Sequence, residues 1–381
     1  MRATAIVISV LIGLVGGLGA AMLVFPATNF QFFSAGVGAM EWAPWFLIAG
    51  LAGLGLAAVG LRGGSGAWRV ASWAGLALNL AASLVIGWRF AAAVTTEPLV
   101  RSNMPAVLAG GPGKFSPARF LSGDDIEPGG LRERNLAYAT IDGQQLKLDV
   151  YGGGFPDRTG NAPALVIVHG GSWRTGDKGD VPAFSERLAG RGYVVFDVAY
   201  RLAPDARFPA AVSDVKCAIG YIKANAARFG IDPGRLVLLG RSAGAQIALV
   251  AAYAPDAAEL PASCPAGDTS VSAVIGYYAP TLMDYYNVIK PELSPGALDD
   301  YLGGPPESFA EAYRQARPAT WLGPNSPPTL LLHGSRDQFV RPADSAAIAD
   351  QMERLGRPYA FIELPWANHG FDFNPDGVNS Q

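Results

Sequence analysis

The chain has 381 residues, half of them apolar and only 16% charged, with a formal net charge of −3. That charge share falls short of the ~25% typical of soluble domains, which excludes an ordinary soluble globule over the whole length. No Lys/Arg run or basic patch stands out, which argues against nucleic acid as a partner. The two cysteines, Cys217 and Cys264, lack metal-ligand spacing.

The apolar excess sits at the N-terminus. Residues 4–25 carry no charge and are long enough to cross a bilayer as a helix. Further apolar segments run from about Trp42 to Leu61 and from about Val70 to Trp88, the last holding one polar amide, Asn79. Trp42, Trp45, Trp68 and Trp88 lie near segment ends, as interface anchors do. Gly13, Gly16 and Gly17, then Gly50, Gly53 and Gly55, either allow close helix packing or simply reflect membrane composition. A cleaved signal peptide headed by Arg2 is the alternative for the first segment, but its apolar stretch is long for that and two more follow at once. Segment 26–41 lacks Lys and Arg, whereas the turn 62–69 has Arg62 and Arg69. By the positive-inside rule that turn is cytoplasmic, and three spans put everything after Arg89 on the extracytoplasmic side; Arg89 and Arg101 run against the rule. The reading is a transmembrane module over 1–100, a Pro/Gly-rich linker over 101–130 and a catalytic domain over 131–381.

From about Leu131 the pattern changes. Leu136–Ile141 and Gln145–Tyr151 alternate around Asp142-Gly143, a hairpin signal. Ala164–Val168, Tyr193–Val198, Leu236–Leu239, Val271–Tyr277, Thr329–Leu332 and Tyr359–Leu364 read as buried strands. Pro209–Phe229, Ala243–Tyr253 and Pro342–Leu355 read as helices between them. Such alternation predicts an α/β fold with a mainly parallel central sheet flanked by helices, whose sites form at the carboxyl ends of the strands.

Reactive residues cluster at those ends. Ser242 follows LVLL inside Gly240-Arg241-Ser242-Ala243-Gly244, a Gly-x-Ser-x-Gly elbow between strand and helix. His169, one of three histidines, opens His169-Gly170-Gly171-Ser172-Trp173. His333 and Asp337 follow TLLL, and His369 follows the last strand. A serine hydroxyl needs a base to remove its proton, and an imidazole needs a carboxylate to hold its tautomer. Ser242, Asp337 and His369 occur in the order nucleophile, acid, base that an elbow of this kind requires. His333 competes as base but lies at its own strand's end, which suits a structural role; Asp372 and Glu363 are weaker rivals for the acid. The amide of Ala243 and those of Gly171 and Ser172 are the expected oxyanion donors, with His169 bracing the glycine loop. The segment 277–325 carries Tyr277, Tyr278, Met283, Tyr285, Tyr286 and Tyr301, and reads either as a lid and acyl-pocket wall or as a satellite core. An extracytoplasmic domain would permit a Cys217–Cys264 disulfide.

From about Leu131 to Asp372 the chain resembles the α/β-hydrolase fold, specifically its hormone-sensitive-lipase-like and acetyl-xylan/feruloyl-esterase-like branches. The resemblance rests on His169-Gly-Gly-Ser-Trp173, Asp197-Val-Ala-Tyr-Arg-Leu-Ala-Pro204 with Phe208-Pro-Ala-Ala211, Gly240-Arg-Ser-Ala-Gly244, His333-Gly-Ser-Arg-Asp337 and Asn368-His-Gly-Phe371. It implies a serine esterase acting through Ser242, Asp337 and His369, with Gly171, Ser172 and Ala243 around the oxyanion, and neither cofactor nor metal. Tyr200 and Arg201 belong to its structural signature, and read from the residues alone they make a satisfied loop pair. Ser172 replaces a third glycine frequent in relatives, and Ala245 a glycine after the elbow; neither removes a backbone donor. A final helix is expected after His369, where this sequence has only a short segment. The expected partner is a short-chain, acetyl or glycan ester. An amidase or peptidase on the same triad, and a membrane assembly or transport protein with a degenerate hydrolase attached, are the rival readings.

Overall fold

The computed structural model describes every residue except 63, 105–114, 124–125, 153–160, 285–289, 291 and 381. Tyr285 and Tyr286 therefore lie outside the described residues. The chain divides into two compact units: Met1–Glu97 with Gly113–Gly123 and Pro365–Gln381, and Pro98–Pro112 with Asp124–Leu364.

The first unit contains helices α1 (Arg2–Val24), α2 (Phe30–Glu41), α3 (Ala43–Leu61), α4 (Ala67–Thr95) and α5 (Pro117–Ser122). By length and composition α1, α3 and α4 could each cross a membrane. They match the three expected spans, but α4 extends past Trp88 through Arg89 to Thr95. A charge ends an apolar run in sequence without ending the backbone hydrogen bonds of a helix. Leu11, Leu14 and Leu18 on α1, Leu51 on α3 and Leu84 on α4 are exposed. Small and polar residues line the helix seams instead. Asn79 donates through Nδ2 to the carbonyls of Ser9 (2.9 Å) and Gly75 (2.8 Å), and Ser9 Oγ donates to Gly53 O at 2.8 Å. A Cβ on Gly53 would collide with the Asn79 side chain, so α3 and α4 approach this closely only because glycine stands there. Segment 26–41, read as a loop between spans, is largely the helix α2. Its N-cap Asn29 accepts from the Phe32 amide at 2.8 Å, and Phe33, Val37 and Met40 are buried.

In the second unit the strands are β1 (Leu99–Ser102), β2 (Leu131–Ile141), β3 (Gln144–Tyr151), β4 (Ala162–Val168), β5 (Val194–Val198), β6 (Ile231–Arg241), β7 (Ala273–Tyr277), β8 (Thr329–Gly334) and β9 (Tyr359–Leu364). Among the described residues they form one sheet in the order β1-β9-β8-β7-β6-β4-β5-β3-β2. The neighbours from β5 through β4, β6, β7 and β8 to β9 pair in parallel. The β2–β3 hairpin adds antiparallel strands at one side, and its turn places Asp142 and Gly143 at φ +50° and +82°. β1, inside a stretch read as module end and linker, is an antiparallel edge strand on β9. Four residues carry too little pattern to announce a strand; the partner β9 supplies the ladder.

The helices of this unit are α6 (Pro182–Gly190), α7 (Ala210–Ala224), α8 (Ala226–Phe229), α9 (Ala243–Tyr253), α10 (Ala297–Leu302), α11 (Pro306–Ala316) and α12 (Pro342–Arg354). The expected helix over 209–229 is thus two helices, broken at Asn225, whose Nδ2 donates to the Tyr221 carbonyl at 2.8 Å. Leu165, Ile167, Val195 and Leu239 form a core on which Phe184 and Leu188 of α6 pack. Cys217 on α7 is joined to Cys264, with Cα atoms 5.5 Å apart and a sequence separation of 47. Cross-linking a loop of that length removes unfolded-chain entropy, so the double Cys217→Ser, Cys264→Ser variant should lose about 2–4 kcal/mol of unfolding free energy. Denaturant titration checks this, and an unchanged midpoint would disprove it.

Candidate active site

β6 ends at Arg241 and α9 begins at Ala243. Ser242 between them has φ +53° and ψ −124°, a conformation that costs a non-glycine residue energy and survives only when its surroundings impose it. The surroundings are explicit. The Ser242 amide donates to Tyr277 O on β7 at 3.0 Å, and Ser242 O accepts from the amides of Ala245 (2.9 Å) and Gln246 (3.2 Å). A Cβ on Gly240 would strike the Gly244 carbonyl, and one on Gly244 would strike the carbonyls of Val168 and His169. The two glycines are therefore what lets strand, turn and helix close this tightly.

The glycine loop follows β4. Gly171, Ser172 and Trp173 lie at φ +112°, +52° and +61°, so the chain turns back sharply. A Cβ placed on Gly170 would stand 3.2 Å from the Ser242 Cβ and 3.1 Å from the Arg241 carbonyl, so this loop lies directly against the elbow. Among the described residues, no backbone carbonyl accepts from the amides of Gly171, Ser172 or Ala243. His169 is buried and stacked on Tyr200, with centroids 4.2 Å apart. Its Nδ1 is 2.7 Å from the Gly170 carbonyl, which assigns the proton to Nδ1, and burial pushes its pKa down. Tyr200 donates to the His169 carbonyl at 2.9 Å, and Arg201 forks onto Asp214 at 2.8–3.2 Å. Both residues of the Tyr200-Arg201 pair thus brace backbone and loop. Asp197, the penultimate residue of β5, accepts from the Gly179 amide at 2.9 Å, and burial pushes its carboxyl up to about 7.

At the end of β8, Asp337 accepts through Oδ1 from the amides of Phe339 (2.7 Å) and Val340 (2.8 Å). Its Oδ2 lies 3.2 Å from Nε2 of His333, and both side chains are fully buried. His333 Nδ1 is 2.7 Å from Ser345 Oγ, and Nε2 is 3.1 Å from the Val340 carbonyl. With two acceptors facing Nε2, that nitrogen carries the proton and Nδ1 accepts from Ser345. His333 is thus enclosed as a brace for the loop that carries Asp337. β6, β7 and β8 are consecutive in the sheet, so Ser242 and Asp337 stand two strands apart at the same edge.

His369 is placed differently. It follows β9 in the segment Pro365–Gln381, which belongs to the first unit. Its imidazole is buried, with the Phe33 ring of α2 6.4 Å away, and its amide donates to Asn368 Oδ1 at 2.9 Å. Asp372 is also buried in that segment.

One contributor escaped the sequence reading. Gln246, a helical turn beyond Ser242, is fully buried. Its Oε1 accepts from Trp173 Nε1 at 2.9 Å and from the Tyr301 hydroxyl at 3.2 Å, and its Nε2 donates to the Ala316 carbonyl at 2.7 Å. Trp173 and Tyr301 stack at 4.6 Å. Arg174 adds bonds to Pro295 O (2.8 Å), Ser294 Oγ (2.8 Å) and Asp300 (3.0 Å). The glycine loop is thereby fastened to the segment over 294–316. Of the side chains noted there, Tyr278, Met283 and Tyr301 are buried and pack as core. Nothing in the sequence around Gln246 marks it, because a glutamine inside an apolar helix pattern carries no spacing signal.

The family model BD-FAE matches residues 148–352. The chain is 29% identical to the probable carboxylic ester hydrolase LipM of Mycobacterium tuberculosis over 235 residues, covering 60% of this chain and 54% of that protein. To esterase LipC of the same organism it is 33% identical over 219 residues, covering 55% and 53%. It is 28% identical over 234 residues to the isoprenylcysteine alpha-carbonyl methylesterase ICME of Arabidopsis thaliana, covering 58% and 53%. The chain thus spans about half the length of these curated relatives. Among solved structures, a truncated carbohydrate esterase from gut microbiota superposes with TM-score 0.55 at 21% identity, covering 66% of this chain and 93% of that one. Esterase 2 of Thermogutta terrifontis, phosphonylated by sarin, gives 0.54 at 23% identity, covering 66% and 88%. These likenesses establish a common fold.

Proposed function

The chain belongs to the BD-FAE family of α/β-hydrolases, and from that membership we propose that it is a serine carboxylic-ester hydrolase acting on short-chain or acetyl esters. The observation that carries this reading is the strained Ser242 at a strand-to-helix elbow, lying against a sharply turned glycine loop. Ser242 Oγ attacks the ester carbonyl while His369 takes its proton, and Asp337 holds the imidazole and stabilises its charged form. The carbonyl oxygen becomes an oxyanion held by the amides of Ala243, Gly171 and Ser172; the dipole of α9 adds favourable potential there. The alkoxide leaves with the proton from His369. Water, deprotonated by His369, then attacks the acyl-enzyme and frees the acid and Ser242. No step needs a metal or cofactor.

We place this chemistry on the extracytoplasmic side, with α1, α3 and α4 as membrane anchors. Arg62 just after α3 and Arg69 in the first turn of α4 support that orientation, and so does the Cys217–Cys264 disulfide, since such bonds persist in oxidising compartments. The expected result with matched nitrophenyl acetate and acetanilide substrates is a kcat/KM at least ~100-fold higher for the ester, together with a fluorophosphonate adduct on Ser242. Equal or better turnover of the anilide would make the protein an amidase. Absence of the adduct would make it a degenerate hydrolase.

A further inference from the structure

Arg89 contradicts the charge rule that orients the membrane helices, and its surroundings give it another use. Its guanidinium lies 4.7 Å from the Trp88 ring centre and 4.5 Å from that of Trp366, while the two indoles meet edge to face at 5.7 Å. A cation between two indole faces is held by the ring quadrupoles, most strongly where water is sparse. Trp366 stands three residues before His369 and has φ +64°, a left-handed conformation that a bulky residue keeps only when packing enforces it. Further contacts within the same unit hold the remainder of the segment. The Phe33 ring on α2 is 6.4 Å from the His369 imidazole, and Trp42 meets Phe373 edge to face at 5.6 Å. Glu41, at the end of α2, accepts from the Asn379 amide at 3.1 Å and from its Nδ2 at 2.5 Å. The loop that carries His369 is thus gripped by α2 on one side and by the end of α4 on the other.

We propose that the N-terminal helical unit is part of the catalytic apparatus, with Arg89 of α4 and Phe33 of α2 as positioning residues that fix the loop bearing His369. The inference rests on His369 being the general base. Neither residue touches substrate; both act through the loop.

The test uses the full chain in lipid nanodiscs with nitrophenyl acetate. A misplacement of about 1 Å at a reacting group costs on the order of 100-fold, so Arg89→Ala and Phe33→Ala should each lower kcat ~10- to 100-fold with KM changed less than about twofold. Fluorophosphonate labelling of Ser242 should slow in parallel. Arg89→Lys keeps a cation between the indoles and Phe33→Tyr keeps the ring, so both should restore most of kcat. If the alanine variants keep kcat within about twofold while His369→Ala is inactive, the loop supports itself and the inference is overturned, with the triad reading intact. Loss that the conservative variants do not restore marks general destabilisation and overturns it too. An active His369→Ala would remove the triad assignment and this inference together.

Discussion

Ser242→Ala is expected to lower kcat toward nitrophenyl acetate by about a million-fold, the scale found when the serine of a well-studied serine protease is removed. The size follows from mechanism. Without Oγ no acyl-enzyme forms, and water must attack the ester directly, aided only by the oxyanion amides and by binding. KM should stay within about threefold, because those amides do not depend on the hydroxyl. Stability should rise slightly or stay level, since the left-handed backbone at φ +53° is set by the Gly240 and Gly244 contacts, not by the side chain. Steady-state kinetics with active-site titration checks the prediction, and near-full activity would remove Ser242 from the mechanism.

Asp337→Asn carries the second-largest expected effect, about 10⁴-fold in kcat, the cost of leaving the base in the wrong tautomer. The local bonds sharpen the expectation. Oδ1 is committed to the amides of Phe339 and Val340, so an asparagine must keep its oxygen there and present its NH₂ in place of Oδ2. That NH₂ then faces Nε2–H of His333, donor against donor, and offers the base a donor where it needs an acceptor. Asp372→Asn is the control, because it removes the rival acid, which is buried in the same segment as His369. It should change kcat by less than about threefold. A reversed pattern, with Asp372→Asn the crippled variant, would transfer the acid's role to Asp372.

Much of the fold is legible in the chain because buried parallel strands are short apolar runs with punctuated ends. The six runs expected as buried strands all occur, and reactive residues fall just past β4, β6 and β8 because that is where such sheets expose loops. What sequence cannot show is pairing across distance. β1 exists by virtue of β9, and the role of Gln246 depends on Trp173, Tyr301 and Ala316, which lie far from it in sequence. The helix α2 is hidden for another reason. Its phenylalanines, glycines and single glutamate give neither a clean amphipathic stripe nor a long apolar run, so burial against its own unit decides its shape. The Cys217–Cys264 bond was permitted by compartment alone; only the approach of their Cα atoms to 5.5 Å makes it. The order of residues in the chain nominates His369 as a base, whereas the contacts of its segment with α2 and α4 are not legible, since aromatic and cation contacts across hundreds of residues leave no spacing signature.

The amide of Gln246 bears on how this enzyme could be retuned. One carboxamide ties the glycine loop, through Trp173, to the segment over 294–316, through Tyr301 and Ala316. On the proposal that the glycine loop holds the oxyanion, and on the reading of that segment as an acyl-pocket wall, selectivity and rate are not independent dials: a graft that replaced the wall to admit a bulkier acyl group would strip partners from Gln246 and loosen the loop. Variation in substrate choice should accordingly accumulate away from Tyr301 and Ala316, and a library that holds those two residues fixed should yield more active clones than one that randomises the whole wall.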